Sequence, residues 1–184
     1  MPSWQSNNPA RRDPKSRPIP KAPDVSYLER AALYYLERFS ASSAHLETVL
    51  KRKIMRRCKL RGEESEPFYA LIAPLIERYV VSGLLNDTQY TQAKVASLRR
   101  KGSSSRMINA KLAQKGIKNA MIEEQIEADE TSELEAARNL VRRKKLGVFS
   151  RTQTDEKCLR DLATLARAGF SYAIAKAALE ATEK

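Results

Sequence analysis

A gap-free internal match constrains this chain more than any other feature. Gly116-Ile117-Lys118-Asn119-Ala120-Met121, closing on Ile126-Glu127-Ala128, aligns with Gly169-Phe170-Ser171-Tyr172-Ala173-Ile174, closing on Leu179-Glu180-Ala181. Ser43, Leu46, Leu50 and Lys53 align in the same way with Ser105, Ile108, Leu112 and Lys115. Three units follow, over 24–83, 84–130 and 131–184. At about 50 residues each is marginal alone, so the units are expected to stack as an elongated tandem array.

The local pattern says what each unit is made of. Leu28, Ala32, Tyr35, Leu36 and Phe39 fall on one face of a helix. After a Ser-Ala-Ser-Ser break that supplies capping hydroxyls, Leu46, Val49, Leu50 and Ile54 repeat the pattern. Residues 61–67 read as a surface loop. The apolar run over 68–81 is a third helix that Pro74 opens or kinks and Gly83 closes. In the second unit, Asn86 and Gln89 have capping-box spacing. Gly102 ends that helix, the serines at 103–105 start the next, Gly116 closes it, and Met121, Ile122 and Ile126 mark a third. Ser132 and Glu135 open the last unit. Its helices carry Leu134, Ala137, Leu140 and Val141, then Leu159, Leu162, Leu165 and Ala166, then Ile174, Ala178 and Leu179, with a loop over 146–154. No segment alternates with period two, so the expected fold class is all-α: three three-helix, helix-turn-helix-like repeats.

Residues 1–23 hold six of the eight prolines and five cations, Arg11, Arg12, Lys15, Arg17 and Lys21, with few apolar residues. This segment reads as a flexible basic tail, and its Trp4 as an incidental aromatic.

Lysine and arginine outnumber acids 34 to 22, for a net charge of +12, a balance that suits a polyanionic partner, nucleic acid first. The chain offers little for catalysis. Its one histidine, His45, stands beside Leu46 on a helix, and six glycines compose neither a phosphate loop nor a dinucleotide fingerprint. Cys58 and Cys158 lack metal-ligand spacing, and acid pairs such as Glu63-Glu64 and Glu123-Glu124 have no His or Cys beside them. No enzyme activity, cofactor or metal is expected. There is no disulfide scaffold, no 18-residue apolar run and no signal-peptide pattern, so the expectation is a cytoplasmic protein without membrane contact.

The cations cluster. Lys51, Arg52, Lys53, Arg56, Arg57, Lys59 and Arg61 crowd one helix; 88–122 holds eight basic residues and no acid; and Arg142, Arg143, Lys144 and Lys145 form a third run. Cations at helix C-termini complement the dipole, which accounts for 99–101 and 142–145 without a partner. Arg106 differs, because it stands just inside a helix start. With Arg99 and Arg100 beside the free amides of the 103–105 turn, it suggests an anion pocket fit for a phosphate. On charge and position alone, the candidate filament- or phosphate-contacting residues are Arg52, Arg56, Arg57, Arg99, Arg100, Arg106, Lys111, Arg142 and Arg143.

Residues 83–127 resemble the central part of the RecX family, bacterial regulators of the RecA recombinase. The resemblance rests on Gly83-Leu84-Leu85, Asp87, Tyr90, the basic helix end and glycine at 99–102, Ile108 and Leu112, Lys115-Gly116-Ile117, and the short acidic helix carrying Ile122 and Ile126. Gly169-Phe170-Ser171 resembles the family's C-terminal element. The helix over 31–39, with its serine turn and the stretch 46–53, resembles its opening. Tyr90 stands where phenylalanine is usual and Thr91 where alanine is; Pro74 and the basic tail fall outside the pattern. The resemblance implies a tandem array of three-helix units that binds in the groove of the RecA–single-stranded DNA filament and limits its growth or activity, without enzymatic activity of its own. The expected partners are the RecA filament and single-stranded DNA, with duplex DNA also in view, and the chain is expected to act as a monomer. The alternative is a direct nucleic-acid-binding protein, such as a helix-turn-helix transcription regulator. If such a protein neutralised about six phosphates on a single strand, its log affinity would fall with log salt at a slope of roughly −4. One recognition helix rich in Asn, Gln and Arg, which duplex readout needs, is not evident.

Overall fold

A computed structural model describes residues 19–151 and 154–180. Among these residues every regular element is helical. The first unit comprises α1 (Val25–Leu36), α2 (Ser43–Arg61) and α3 (Ile72–Val81). The second comprises α4 (Asp87–Arg100), α5 (Ser105–Ala113) and α6 (Asn119–Glu127), and the third α7 (Glu133–Lys144), α8 (Asp155–Arg167) and α9 (Tyr172–Glu180). Each unit has its own apolar core. Leu28, Leu46, Leu50, Ile54, Ile72 and Leu75 fill the first; Tyr90, Val95, Ile108, Leu112, Ile117 and Ile122 the second; Leu140, Val141, Leu165, Phe170, Ala178 and Leu179 the third. The fold is a tandem array of three-helix units, with α4 packed on α7 between the second and third.

Polar side chains fix where these helices begin. Asp24, Ser42, Asn86, Ser104, Ser132 and Thr154 each accept a backbone N–H from the first turn of the helix they precede, satisfying donors that a helix start leaves open. At Ser132 the arrangement is reciprocal: Glu135 accepts the Ser132 N–H while Ser132 Oγ accepts that of Glu135. Asn86 makes only its own half, to Gln89.

The structure departs from the sequence expectations in five places. Residues 66–71 of the expected loop and apolar run form a 3-10 turn, and Pro74 sits in the first turn of α3, where its missing N–H costs nothing. Leu85 packs into the first core and its N–H donates to Tyr79 O, so that unit runs two residues past Gly83. Phe39 lies beyond the end of α1, exposed, its ring 5.1 Å from that of Tyr35. The 146–154 loop contains a 3-10 turn over Gly147–Phe149. Finally, Leu159 is exposed, because the buried face of α8 runs through Asp161 and Leu165 instead. Asp161 is held there by the Gly147 N–H at 2.9 Å and an ion pair to Lys157. Of the flexible basic tail expected over 1–23, residues 1–18 with Trp4 lie outside the described residues, and the rest is held against α2, where Arg61 and Arg57 donate to Pro20 O and Lys21 O and Pro23 is buried.

Candidate interaction surface and the joint behind it

The start of α5 is where sequence analysis places an anion pocket, and it holds an anion from the chain itself. Ser104 is the cap residue and Ser105 the first helical residue, whose amide points out of the helix with no partner inside it. That amide donates to both Glu133 carboxylate oxygens at 3.1 Å, and Ser105 Oγ donates to the same group at 2.5 Å. Arg99 completes the site from the last turn of α4: one guanidinium nitrogen pairs with Glu133, and the other donates to Ser105 Oγ at 2.7 Å. The fork geometry of arginine suits this double role. A carboxylate from the third unit therefore occupies the place expected for a phosphate.

This corrects the assignment of Arg99. It is only 3% exposed, turned inward because Glu133 and Ser105 offer its two terminal nitrogens charge and hydrogen bonds, while its Nε is buried with no hydrogen-bond partner among the described residues. Burial pushes the Glu133 carboxyl upward, but hydrogen bonds from Ser105 Oγ, Arg99 and the Ser105 N–H outweigh it and hold the group below the usual glutamate range. Arg57 is likewise committed at home. It is half-buried, donates to Lys21 O at 2.5 Å and lies 4.0 Å over the Tyr27 ring.

The other seven candidates are exposed: Arg52 and Arg56 on α2, Arg100 on α4, Arg106 and Lys111 on α5, Arg142 and Arg143 on α7. Among the described residues, Arg52, Arg56, Arg100, Arg106, Lys111 and Arg143 form no ion pair within the chain. Arg142 donates to Asn139 Oδ1 at 2.7 Å. Arg106 stands at a cleft between α5 and α6 that Asn109, Glu123, Ile126 and Glu127 also line. The seven cations are shared among the units, two on α2, three on α4 and α5, and two on α7.

Two residues that the charge reading passed over belong with the α2 set. Arg52, Met55, Arg56, Lys59 and Leu60 follow i, i+3, i+4, i+7, i+8 spacing on the outer face of α2, opposite the buried Leu46, Leu50, Ile54 and Cys58. Met55 is 53% exposed and Leu60 70%. The signal was present in the sequence as apolar residues off the i, i+4 line of the core.

Among the described residues no group of three or more His, Cys, Asp or Glu side chains is placed to hold a metal, and no helix is long and apolar enough to cross a membrane.

Comparison with known proteins matches this architecture. A family model described as the second three-helix domain of RecX matches residues 86–125, a span that opens on the Asn86 cap of α4 and ends within α6. The chain is 43% identical over 177 residues to the regulatory protein RecX of Myxococcus xanthus (strain DK1622), covering 91% of this chain and 94% of the relative. It is 30% identical over 155 residues to the regulatory protein RecX of Agrobacterium fabrum (strain C58), covering 82% of this chain and 80% of the relative. With its three helical cores and this similarity along nearly its whole length, the chain belongs to the RecX family of regulatory proteins.

Proposed function

We propose that this protein binds the RecA–single-stranded DNA filament and restrains its growth and ATP hydrolysis, acting without catalysis of its own, in the cytoplasm and in the service of recombinational DNA repair. The observation that carries the reading is the distribution of unpaired cations. Arg52 and Arg56 in the first unit, Arg100, Arg106 and Lys111 in the second, and Arg143 in the third face solvent, with no ion-pair partner among the described residues. A tandem array that repeats a modest positive surface fits an extended, repeating anionic partner better than a compact one. Met55 and Leu60, between the α2 cations, add apolar contact area of a kind that phosphates do not use and a protein surface does.

The test is RecA's ATP hydrolysis on single-stranded DNA with this protein titrated in and an excess-DNA control. Inhibition that extra DNA does not relieve is the expected result. The paired reversals Arg52→Glu with Arg56→Glu, and Arg100→Glu with Arg106→Glu, should each raise the half-inhibitory concentration about tenfold, a loss of about 1.4 kcal/mol, with helicity unchanged by circular dichroism. No effect on hydrolysis, or one abolished by extra DNA, would replace this reading with plain nucleic-acid binding.

A further inference from the structure

The contact between the second and third units has a counterpart between the first and second. Ser42, the cap of α2, donates to Lys115 O at 2.8 Å, and Ser104, the cap of α5, donates to Ala168 O at 2.6 Å. The next amide, of Ser43, donates to Asp87 Oδ1 at 2.7 Å, as that of Ser105 donates to Glu133. Asp87 and Glu133 are each the first residue of the following unit's first helix. Lys115 and Ala168 each precede a left-handed glycine after that unit's second helix, Gly116 (φ 77°) and Gly169 (φ 90°). Both glycines press on the preceding unit. A Cβ on Gly116 would overlap the Ala44 side chain, and one on Gly169 would lie 2.6 Å from Ser104 Oγ. Four separate features recur at corresponding places, which independent packing would not produce.

We infer that one polar joint, used twice, sets the three units in register, with Asp87 and Glu133 as its positioning residues, and that the copy between the first and second units is the compliant one. The second copy is reinforced. Arg99 clamps Glu133, Gly102 lets the chain approach so closely that a Cβ there would lie 2.5 Å from Leu140 N, and Asn139 Nδ2 reaches Arg99 O at 3.5 Å. The first copy lacks each part. Six residues before Ser43, where Arg99 stands before Ser105, is the exposed Glu37; Ser40 replaces Gly102; and Lys94 replaces Leu140. Among the described residues Asp87 has no ion-pair partner. Units two and three therefore move as one body, and unit one, with its Arg52 and Arg56, swings on the Asp87–Ser43 contact.

This inference stands independently of the proposed partner, and its test needs none. In full-length protein carrying Cys158→Ser, spin labels at Ala70→Cys and Ala120→Cys span the first joint, and labels at Ala120→Cys and Ala173→Cys span the second; all three sites are exposed, and the native Cys58 is buried. Pulsed electron paramagnetic resonance should give a broader distance distribution across the first joint than across the second. Asp87→Asn should broaden the first further, and Glu133→Gln should broaden the second alone. Glu37→Arg, which supplies the missing cation, should narrow the first. Equal widths in the starting protein would overturn the inference, as would an unchanged second distribution in Glu133→Gln. If Glu133→Gln or Asp87→Asn loses helicity, Glu37→Arg decides: narrowing supports the joint, and an unaltered width rejects it.

Discussion

Glu133 and Arg99 form one group with Ser105, so each substitution is read by what it leaves behind. Glu133→Gln keeps an acceptor for the Ser105 amide but strands a guanidinium whose side chain is 4% exposed; breaking a buried pair in this way costs about 3 kcal/mol. Arg99→Met leaves the carboxylate with both Ser105 donors and a side chain still 26% exposed, so its cost is smaller, about 2 kcal/mol. Urea denaturation of the two variants should place them in that order. The acid limb of stability follows from the same group. The Glu133 pKa is lower folded than unfolded, so its contribution is complete above the unfolded value of about 4.3 and is lost as pH falls through the folded one. Glu133→Gln should flatten stability against pH in that acid window. His45 acts earlier. Burial, then the charges of Lys115 and Arg52, lower its pKa, so it favours the neutral form, and stability is lost as pH falls below about 6.5. Because its ring meets Tyr35 Oη at 3.0 Å and Lys115 belongs to the second unit, the first joint should loosen before the second on acidification, and hydrogen exchange at the Ser43 amide reports it.

At the scale of elements, the helix ends separate what a glycine does by conformation from what it does by contact. Gly62, Gly116 and Gly169 all close second helices with positive φ, but a Cβ on Gly62 meets nothing within 4 Å. Gly62→Ala should cost only the left-handed penalty, about 1 kcal/mol. Gly116→Ala adds a collision with Ala44 and should cost more, with extra exchange confined to the first joint; thermal melts of the pair measure the difference. Helix identity and the repeat were legible in the sequence because they rest on spacing and capping, which are local. The Ser132–Glu135 box is one case, and the Ser43/Ser105 alignment another. What escaped was long-range. Ser105 and Glu133 are 28 residues apart, and nothing in either neighbourhood says that an acid opening one helix will seat on the amide opening another. An excess of cations before a serine turn reads the same whether its anion comes from a partner or from the chain. The exposure of Leu159 has a similar origin: periodicity favours leucine inside, whereas the Gly147 N–H, 14 residues away, together with Lys157 makes Asp161 the buried residue.

For the whole molecule, the two joints have a direction, since each unit offers a helix start and its successor offers an acid and a glycine. The ends do not continue it. On α8 the places of Ser105 and Arg106 are taken by Asp155 and Glu156, both exposed, which repel an incoming carboxylate. On α1 the place of Asp87 is taken by Val25, and Gly62 faces open space. Among the described residues neither end therefore offers this joint to a second copy, and sedimentation is expected to give a single monomeric species whose mass does not change between low and high salt. Unit two alone carries both halves, Asp87 and Gly116 toward the unit before it and Ser104 and Ser105 toward the unit after it. By the rules of this joint, the array should lengthen most readily at its middle unit. A second copy of 84–130 inserted after the first would present each neighbour with the half it needs, whereas a repeated third unit would set Glu133 against Asp155.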